Sequence, residues 1–208
     1  METKKICIIL ILFFICIFIL LYNSKKNIEK FEANNKNSIK DKVILITGSS
    51  KGFGFELAKL LNNNNCKLII VGKNEKGVKN AEEELKKKNE NVKGLVADFT
   101  NEDDIYKMVK EATDVWKRID IVINMPIITK GSRYLTSKDI KDWKRELSIN
   151  FDSIFLINQL VIKHMKNKQI KGRIINITTI SSKHNSTTKS SGTDILTKNM
   201  IEKYTNMM

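Results

Sequence analysis

The chain has 208 residues, of which 41% are hydrophobic and 29% are charged, and its formal net charge is +14. This length and apolar content suit one folded domain with accessory segments and exclude a disordered chain. The positive charge comes mainly from lysines scattered among asparagine and isoleucine. Because no patch of arginine and aromatic residues accompanies it, the charge does not predict nucleic-acid binding.

Cysteine and histidine are too sparse to suggest a metal site or a disulfide framework. Cys7 and Cys16 lie in the apolar N-terminus, which leaves Cys66 alone in the rest of the chain. The two histidines, His164 and His184, are far apart in the sequence. We therefore expect no metal site, and a domain suited to a reducing compartment.

The N-terminal segment, residues 1–22, contains an unbroken apolar run from Ile6 to Tyr22. As a helix this run is roughly 25 Å long, at the short end of what spans a bilayer. A cleaved signal peptide is the alternative, but the run exceeds a usual signal core and no small-x-small cleavage site follows it. We therefore expect a retained single-pass membrane anchor.

Lysines are more numerous after the apolar run than before it. Lys4 and Lys5 precede the run, whereas five lysines occur in the polar residues 23–41 that follow it. The positive-inside rule then places the folded domain on the cytosolic face. The unpatterned composition of residues 23–41 predicts a tether.

Strand and helix patterns alternate over residues 42–208. A long helix is predicted from about Ser137 to Lys166, with Thr136 as its N-cap, and a last helix starts near Asp194. Continuous apolar runs predict five strands, at Val43–Ile46, Lys67–Val71, Val92–Ala97, Ile119–Ile123 and Arg173–Ile177. The pattern predicts an α/β, Rossmann-like, doubly wound parallel sheet of five strands, preceded by one transmembrane helix.

A glycine-rich turn joins the first predicted strand to the first helix, with the sequence Thr47-Gly48-Ser49-Ser50-Lys51-Gly52-Phe53-Gly54. A strand, a glycine turn and a helix place a pyrophosphate at the helix N-terminus, where free N–H groups and the helix dipole favour negative charge. An ordinary glycine turn would show the same three glycines, so this motif by itself leaves both interpretations open.

From Lys42 to Met208 the chain resembles the short-chain dehydrogenase/reductase family. The spacing Thr47-Gly48-x-x-x-Gly52-x-Gly54 resembles the cofactor turn of that family, and Asp98 matches the carboxylate that contacts the adenine ring. Ile119–Asn124 resembles its fourth strand, Trp143 and Asn150 its long helix, and Gly172–Thr179 its fifth strand. The resemblance implies an oxidoreductase that transfers a hydride between a nicotinamide cofactor and a carbonyl or alcohol.

The resemblance and the residue chemistry together indicate NADP(H) as cofactor. An NAD site carries a carboxylate after the second strand, but Val71-Gly72-Lys73-Asn74 has none. Lys51 and Lys73 would instead contact the 2′-phosphate, although lysines are common throughout this chain. The expected cofactor-binding residues are Gly48, Ser50, Lys51, Gly52, Phe53, Gly54, Lys73, Asp98 and Asn124.

The catalytic set that the resemblance implies is Asn150, Thr179, Lys198 and Asp194. Thr179 occupies the position of the family's serine, and Asp194 that of its tyrosine, four residues before Lys198. An ionised aspartate cannot donate a proton, and losing a general acid typically costs about 10²- to 10⁴-fold in rate. Tyr134 and Lys138 also have the tyrosine-x-x-x-lysine spacing, but they lie around the start of the long helix and not after the fifth strand, where the family places this chemistry.

Other departures from the family leave three hypotheses open. Asn124-Met125-Pro126-Ile127 replaces the usual Asn-Asn-Ala-Gly, and family members generally continue beyond the point that corresponds to Met208. The first hypothesis is a membrane-anchored NADP(H)-dependent oxidoreductase with a small lipophilic substrate. The second is a catalytically inactive nucleotide-binding scaffold, and the third a basic membrane-surface protein. Relatives pair through the long helix and the one after it, so we also expect a possible homodimer.

Overall fold

The structure is a computed structural model that describes residues 39–125, 128, 134–178 and 192–208. The described fold lies in one compact unit, Asp41–Met208. The predicted anchor at residues 6–22 and nearly all of the predicted tether lie outside the described residues, as do Pro126, Ile127 and Thr179. None of the helices in the described part of the chain combines the length and the apolar character needed to cross a bilayer.

Five parallel strands form one sheet in the order β3-β2-β1-β4-β5. Their bounds are β1 Val43–Ile46, β2 Lys67–Gly72, β3 Val92–Val96, β4 Ile121–Asn124 and β5 Arg173–Asn176. The predicted five-stranded parallel sheet is therefore confirmed. The carboxyl ends of all the strands meet at one edge of the sheet, where open α/β folds bind their ligands.

The α-helices of the described residues are α1 Gly52–Asn62, α2 Glu75–Lys86, α3 Glu102–Val115, α4 Ile140–Leu147, α5 Ser153–Asn167 and α6 Gly192–Met207. A one-turn π-helix, Ser148–Asp152, joins α4 to α5. The helices cover both faces of the sheet, as a doubly wound fold requires.

Two hydrophobic cores lie on opposite faces of the sheet because successive strand side chains point in opposite directions. Leu45 and Val122 belong to the core under α3 and α5, whereas Ile44 and Ile123 belong to the core under α1 and α2. Burial on both faces explains why these strands are continuous apolar runs instead of alternating ones.

The start of the predicted long helix differs from the observed one. Thr136 lies within a short 3₁₀ turn, Leu135–Ser137, and Lys138 is extended, so the prediction of Thr136 as the cap is wrong. The N-cap is Asp139, whose carboxylate accepts a 2.7 Å hydrogen bond from the Lys141 N–H. A carboxylate satisfies a free N–H there and also interacts favourably with the helix dipole.

Candidate functional site

The glycine turn between β1 and α1 has a backbone that only glycine adopts easily. Gly48 and Gly52 have φ angles of +67° and +62°, in the left-handed region that other residues rarely enter. At Gly54 the constraint is space, since a Cβ there would lie 2.4 Å from the Gly48 carbonyl oxygen. The three glycines of this turn thus meet two kinds of steric requirement, a positive φ at Gly48 and Gly52 and a lack of space for a Cβ at Gly54.

Hydrogen bonds attach the turn to the sheet. The Ser49 hydroxyl donates to the Ile46 carbonyl at 2.6 Å and accepts from the Val71 N–H at 3.0 Å. The Ser49 N–H also donates to the Val71 carbonyl at 2.9 Å. Because these bonds join the turn to both β1 and β2, the turn is positioned without help from a ligand.

The N-terminus of α1 has the features of an anion site. Its N-cap, Lys51, makes no side-chain cap hydrogen bond, and the first turn contains no acidic residue. The first N–H groups of a helix lack partners inside the helix, and the dipole favours negative charge beside them. Beside this turn, a Cβ at Gly72 would lie 2.3 Å from the Ser50 hydroxyl oxygen. The glycine cradle therefore fits a pyrophosphate.

A cleft of about 810 Å³ lies beside this turn at the carboxyl edge of the sheet. It brings the glycine turn together with Asp194 and Lys198, which are far from it in sequence. The predicted cofactor residues that line it are Gly48, Ser50, Lys51, Gly52, Phe53, Gly54, Lys73 and Asp98. One continuous cleft thus joins the predicted cofactor residues to part of the predicted catalytic set.

Lys73 and Asp98, which both line this cleft, form an ion pair with each other. Asp98 also accepts hydrogen bonds from the N–H and the hydroxyl of Thr100, at 3.1 and 2.8 Å. Partial burial opposes ionisation of Asp98, but the bonds from Lys73 and Thr100 outweigh it and lower the pKa of the carboxyl. The positive charge of Lys73 is therefore partly compensated.

Asn124 lies behind the cleft lining and is 0% exposed. Its amide donates to Asn158 Oδ1 at 2.7 Å and to Asn176 Oδ1 at 2.9 Å, which connects β4 to α5 and β5. The Thr47 hydroxyl donates to Asn124 Oδ1 at 3.4 Å. The structure therefore places the side chain of Asn124 in the support of the sheet and not among the residues that line the cleft.

Asn150 lies in the π-helical turn and is also buried. Its Oδ1 accepts from the Ile128 N–H at 2.8 Å, and its Nδ2 donates to the Ile128 carbonyl at 2.9 Å. Ile128 lines the cleft, so Asn150 fixes a wall residue while its own side chain stands behind it. Single π turns inside helices occur frequently at functional sites.

Asp194 and Lys198 lie one turn apart on α6, and both line the cleft. Lys198 is 3% exposed, and its Nζ donates to the Ile177 carbonyl at 3.1 Å. Asp194 is 7% exposed, and its Oδ1 is buried without a hydrogen-bond partner among the residues that the structure describes. Burial lowers the pKa of Lys198, an effect that the nearby Asp194 carboxylate opposes. Burial also raises the pKa of Asp194, so the pKa values of both groups are shifted in the direction of the neutral forms.

A buried ion pair stands near this end of the cleft, and the sequence reasoning did not identify it. Lys138 Nζ lies 2.9 and 2.8 Å from the two oxygens of Glu146, and both side chains are almost fully buried. Sequence reasoning also missed Arg145 and Ile149, which line the cleft. Nothing in the polar sequence of α4 distinguishes a buried glutamate from an exposed one.

Comparisons with known proteins identify relatives for most of the chain. The sequence profile of the family described as short chain dehydrogenase matches residues 42–191. The 3-oxoacyl-[acyl-carrier-protein] reductase of Vibrio cholerae is 31% identical over 140 residues, which cover 67% of this chain and 55% of that protein. An uncharacterized oxidoreductase of Staphylococcus epidermidis is 29% identical over 143 residues, 69% of this chain and 60% of that protein. The chain thus spans little more than half the length of these relatives.

Solved structures show the same fold at lower identity. An actinorhodin polyketide ketoreductase variant with NADPH has a TM-score of 0.74 and 20% identity, over 80% of this chain and 63% of that one. The 3-ketoacyl-(acyl-carrier-protein) reductase of Brucella melitensis, complexed with NADH, has a TM-score of 0.73 and 22% identity, over 81% of this chain and 69% of that one. The profile match stops before α6, so it does not include Asp194 and Lys198.

Proposed function

The chain belongs to the short-chain dehydrogenase/reductase family, and from this premise we propose that it is an NADP(H)-dependent oxidoreductase acting on a carbonyl or an alcohol. The observation that carries the proposal is the single cleft in which the glycine turn meets Lys198 and Asp194. A nicotinamide cofactor bound there supplies or accepts a hydride. The cofactor binding and the proton chemistry would then take place in one cleft.

The chain's own residues would hold the cofactor along the cleft. The N–H groups at the start of α1 would bind the pyrophosphate, and Gly52, where an added Cβ would meet no described atom within 4 Å, leaves space beside them. Lys198 donates a hydrogen bond to the Ile177 carbonyl. We propose that it also positions hydroxyl groups of the bound cofactor or substrate at its end of the cleft. Thr178 lines the same end, next to Thr179, which we propose as the substrate-orienting hydroxyl.

The preference for NADP(H) rests on charge at the other end of the cleft. Lys51 and Lys73 both line it, and no carboxylate follows β2 before Glu75. A carboxylate there would repel the 2′-phosphate of NADP(H), whereas ammonium groups attract it. Since Asp98 already pairs with Lys73, Lys51 is the cation that has the larger part of its charge to offer.

Cofactor titration tests this proposal directly. Each charge-assisted contact to the 2′-phosphate is worth about 1.5 kcal/mol or more, so Lys51→Met is expected to weaken NADPH binding about tenfold or more. NADH binding should change little, because NADH lacks that phosphate. Binding is measured by nucleotide fluorescence and by the thermal shift of the full chain.

Lys76→Met is the matched control, since Lys76 is an exposed lysine on α2 that does not line the cleft. It should bind both nucleotides as the wild type does. If Lys51→Met weakened NADPH and NADH equally, the preference for NADP(H) would be wrong. If saturating NADPH left the melting temperature of the wild type unchanged, nucleotide binding itself would be refuted.

The second candidate function is a nucleotide-binding scaffold without catalysis. The observation that favours it is Asp194 at the position of the family's tyrosine, since an aspartate ionised as in water donates no proton. Turnover distinguishes the two functions. A scaffold would bind NADPH without oxidising it in the presence of any ketone, whereas an oxidoreductase would consume it.

We further propose that residues 6–22 anchor the protein to a membrane with the folded unit on the cytosolic face. The unbroken apolar run supports the anchor, and the excess of lysine after it supports the orientation. A small lipophilic carbonyl or alcohol is the substrate that a membrane-bound site would meet. Nucleic acid is not an expected partner, because the lysines are not clustered with aromatic residues.

We also propose a homodimer formed through α5 and α6. Phe155 on α5 and Leu196 and Met200 on α6 are large apolar side chains that remain substantially exposed. The Phe155 ring packs against Tyr204 of α6, with 5.5 Å between the ring centroids, so the two helices present one joined apolar surface. Apolar surface of this kind is stabilised by burial against a second copy.

A further inference from the structure

We propose that Asp194 is the proton donor of this site in carbonyl reduction, through a neutral carboxyl group that replaces the family's tyrosine. The inference rests on the proposed oxidoreductase function. It assigns a catalytic role to Asp194, the residue that would argue most strongly against catalysis if it were ionised. The side chains involved are Asp194 itself and three charged groups near it, Lys198, Glu146 and Lys138.

The first observation is the position of the Asp194 carboxyl. It lines the cleft and is 7% exposed, and its Oδ1 makes no hydrogen bond in the described part of the chain. A buried carboxylate oxygen without a donor is costly, because ionised groups depend on hydrogen bonds or water for their stability. A protonated carboxyl avoids most of this cost and presents an O–H, for which a substrate oxygen in the cleft is a suitable acceptor.

The second observation is the set of charges that face Asp194. Lys198 on the same helix favours the carboxylate, but its Nζ donates to the Ile177 carbonyl at 3.1 Å. Glu146, on α4, repels a negative charge on Asp194 and therefore favours the neutral form of the Asp194 carboxyl. Lys138 faces Glu146 and forms a buried ion pair with it, which keeps Glu146 in place. Among the described residues, Asp194 is thus influenced by one cation, Lys198, and one anion, Glu146.

Burial raises the pKa of Asp194, Lys198 partly opposes this, and Glu146 adds to the increase. A group whose pKa is raised keeps its proton to a higher pH than a free aspartate does. Reduction needs the protonated carboxyl, so its rate should be greatest on the acidic side and should decline as pH rises through the pKa of Asp194.

In the proposed reduction, a hydride and a proton would reach the carbonyl group from two different donors. The carbonyl carbon gains the hydride, and with it two electrons, from the reduced nicotinamide. The electron pair of the carbonyl π bond moves to oxygen, which takes the proton of Asp194. A C–H and an O–H bond would thus form, while a C–H bond of the reduced nicotinamide, the carbonyl π bond and the carboxyl O–H bond would break, leaving the nicotinamide oxidised. The product is an alcohol, and the Asp194 carboxylate, with the Lys198 ammonium beside it, recovers its proton from water.

Infrared difference spectroscopy tests the protonation without any turnover. The spectrum of the full chain minus that of Asp194→Asn isolates the carboxylic acid C=O stretch of this one residue. We expect the band to be present in mildly acidic buffer and to disappear with a midpoint above the ordinary aspartate range. A band that is already lost at the pH where free aspartate ionises would overturn the proposal.

Reduction of a ketone by NADPH, followed against pH, tests the catalytic role. Asp194→Asn should lose about 10²- to 10⁴-fold in rate and also lose the pH-dependent decline, while NADPH binding stays at the wild-type level. Asp103→Asn, at an exposed position on α3, is the control and should behave as the wild type. Asp194→Tyr should restore reduction at neutral and alkaline pH, because tyrosine stays protonated there.

The results of these experiments distinguish failure of the proposed role of Asp194 from failure of the proposed oxidoreductase function. A wild-type rate and pH profile in Asp194→Asn would refute the role of Asp194 while leaving the oxidoreductase intact. An absence of NADPH binding in the wild type would refute the proposed function, and the infrared titration would still report whether the carboxyl holds its proton.

Discussion

Two glycines on helices show how differently the same residue type can be used. Gly54 lies in the first turn of α1, where an added Cβ would overlap the Gly48 carbonyl oxygen at 2.4 Å. Gly77 lies in the first turn of α2, where the nearest atom to an added Cβ is Asn74 Oδ1 at 3.3 Å, and this N-cap oxygen accepts a 2.7 Å hydrogen bond from the Gly77 N–H. Only the first of these contacts involves fixed backbone.

We expect Gly54→Ala to lower the free energy of unfolding by about 1–3 kcal/mol, because the overlap forces the glycine turn to shift. NADPH binding should weaken as well, since that turn is the proposed pyrophosphate cradle. Gly77→Ala is the matched control and should change the free energy of unfolding by less than about 1 kcal/mol, because the better helix propensity of alanine offsets the small shift that the Asn74 cap must make. Chemical denaturation measures both, and equal effects of the two substitutions would contradict this steric explanation.

At the scale of elements, a buried carboxylate joins the starts of β1 and β4. Asp120 immediately precedes β4, and its Oδ2 accepts a 3.0 Å hydrogen bond from the Val43 N–H of β1. Arg118 Nε lies 2.8 and 2.9 Å from the two carboxylate oxygens. Burial opposes ionisation, but the bonds from Arg118 and Val43 outweigh it and lower the pKa of Asp120.

Asp120→Asn should therefore lower the free energy of unfolding at neutral pH by about 1.5–3 kcal/mol, the usual value of a hydrogen bond to a charged group. Because the folded-state pKa is lowered, this stabilisation is present above the pKa of the unfolded chain and is lost as pH falls through the folded-state pKa. The stabilities of variant and wild type should thus converge in acid. Asp114→Asn, which removes an exposed ion pair with Lys117, is the control, and a difference that persists in acid would argue against the ionic explanation.

Another group of contacts at this scale attaches α6 to the sheet. The Asn176 amide of β5 donates to the Thr205 hydroxyl at 2.9 Å, and Asn176 Oδ1 accepts from Asn124 of β4. Amide side chains suit this role because each has both donors and an acceptor. They hold α6 against β5, and α6 carries Asp194 and Lys198 to the cleft.

At the scale of the whole molecule, the proposed anchor at residues 6–22 would decide where the protein acts. A retained anchor at residues 6–22 predicts that the full chain sediments with membranes and resists extraction by high salt, because the attachment is hydrophobic and not electrostatic. A variant that lacks residues 6–22 should remain in the soluble fraction. NADPH binding by that variant is the control for folding, and a full chain found in the soluble fraction would refute the anchor.

The sequence by itself determined the sheet, the family and the glycine turn. Apolar runs such as Val43–Ile46 are local signals, since a strand buried on both faces must be apolar throughout. The turn from Gly48 to Gly54 is equally local, because backbone angles and close approach demand glycine at set positions. These features depend on neighbours within a few residues.

Only the tertiary structure decided how side chains distant in sequence share the cleft. It paired Lys73 with Asp98, placed Asn124 behind the cleft lining, and buried Glu146 with Lys138. The state of a carboxyl depends on the burial and charges that other elements supply, so the environment of Asp194 is set by Glu146 of α4 as well as by Lys198 of its own helix. The folded neighbours of Asp194, and not its identity as an aspartate, determine how firmly it holds a proton.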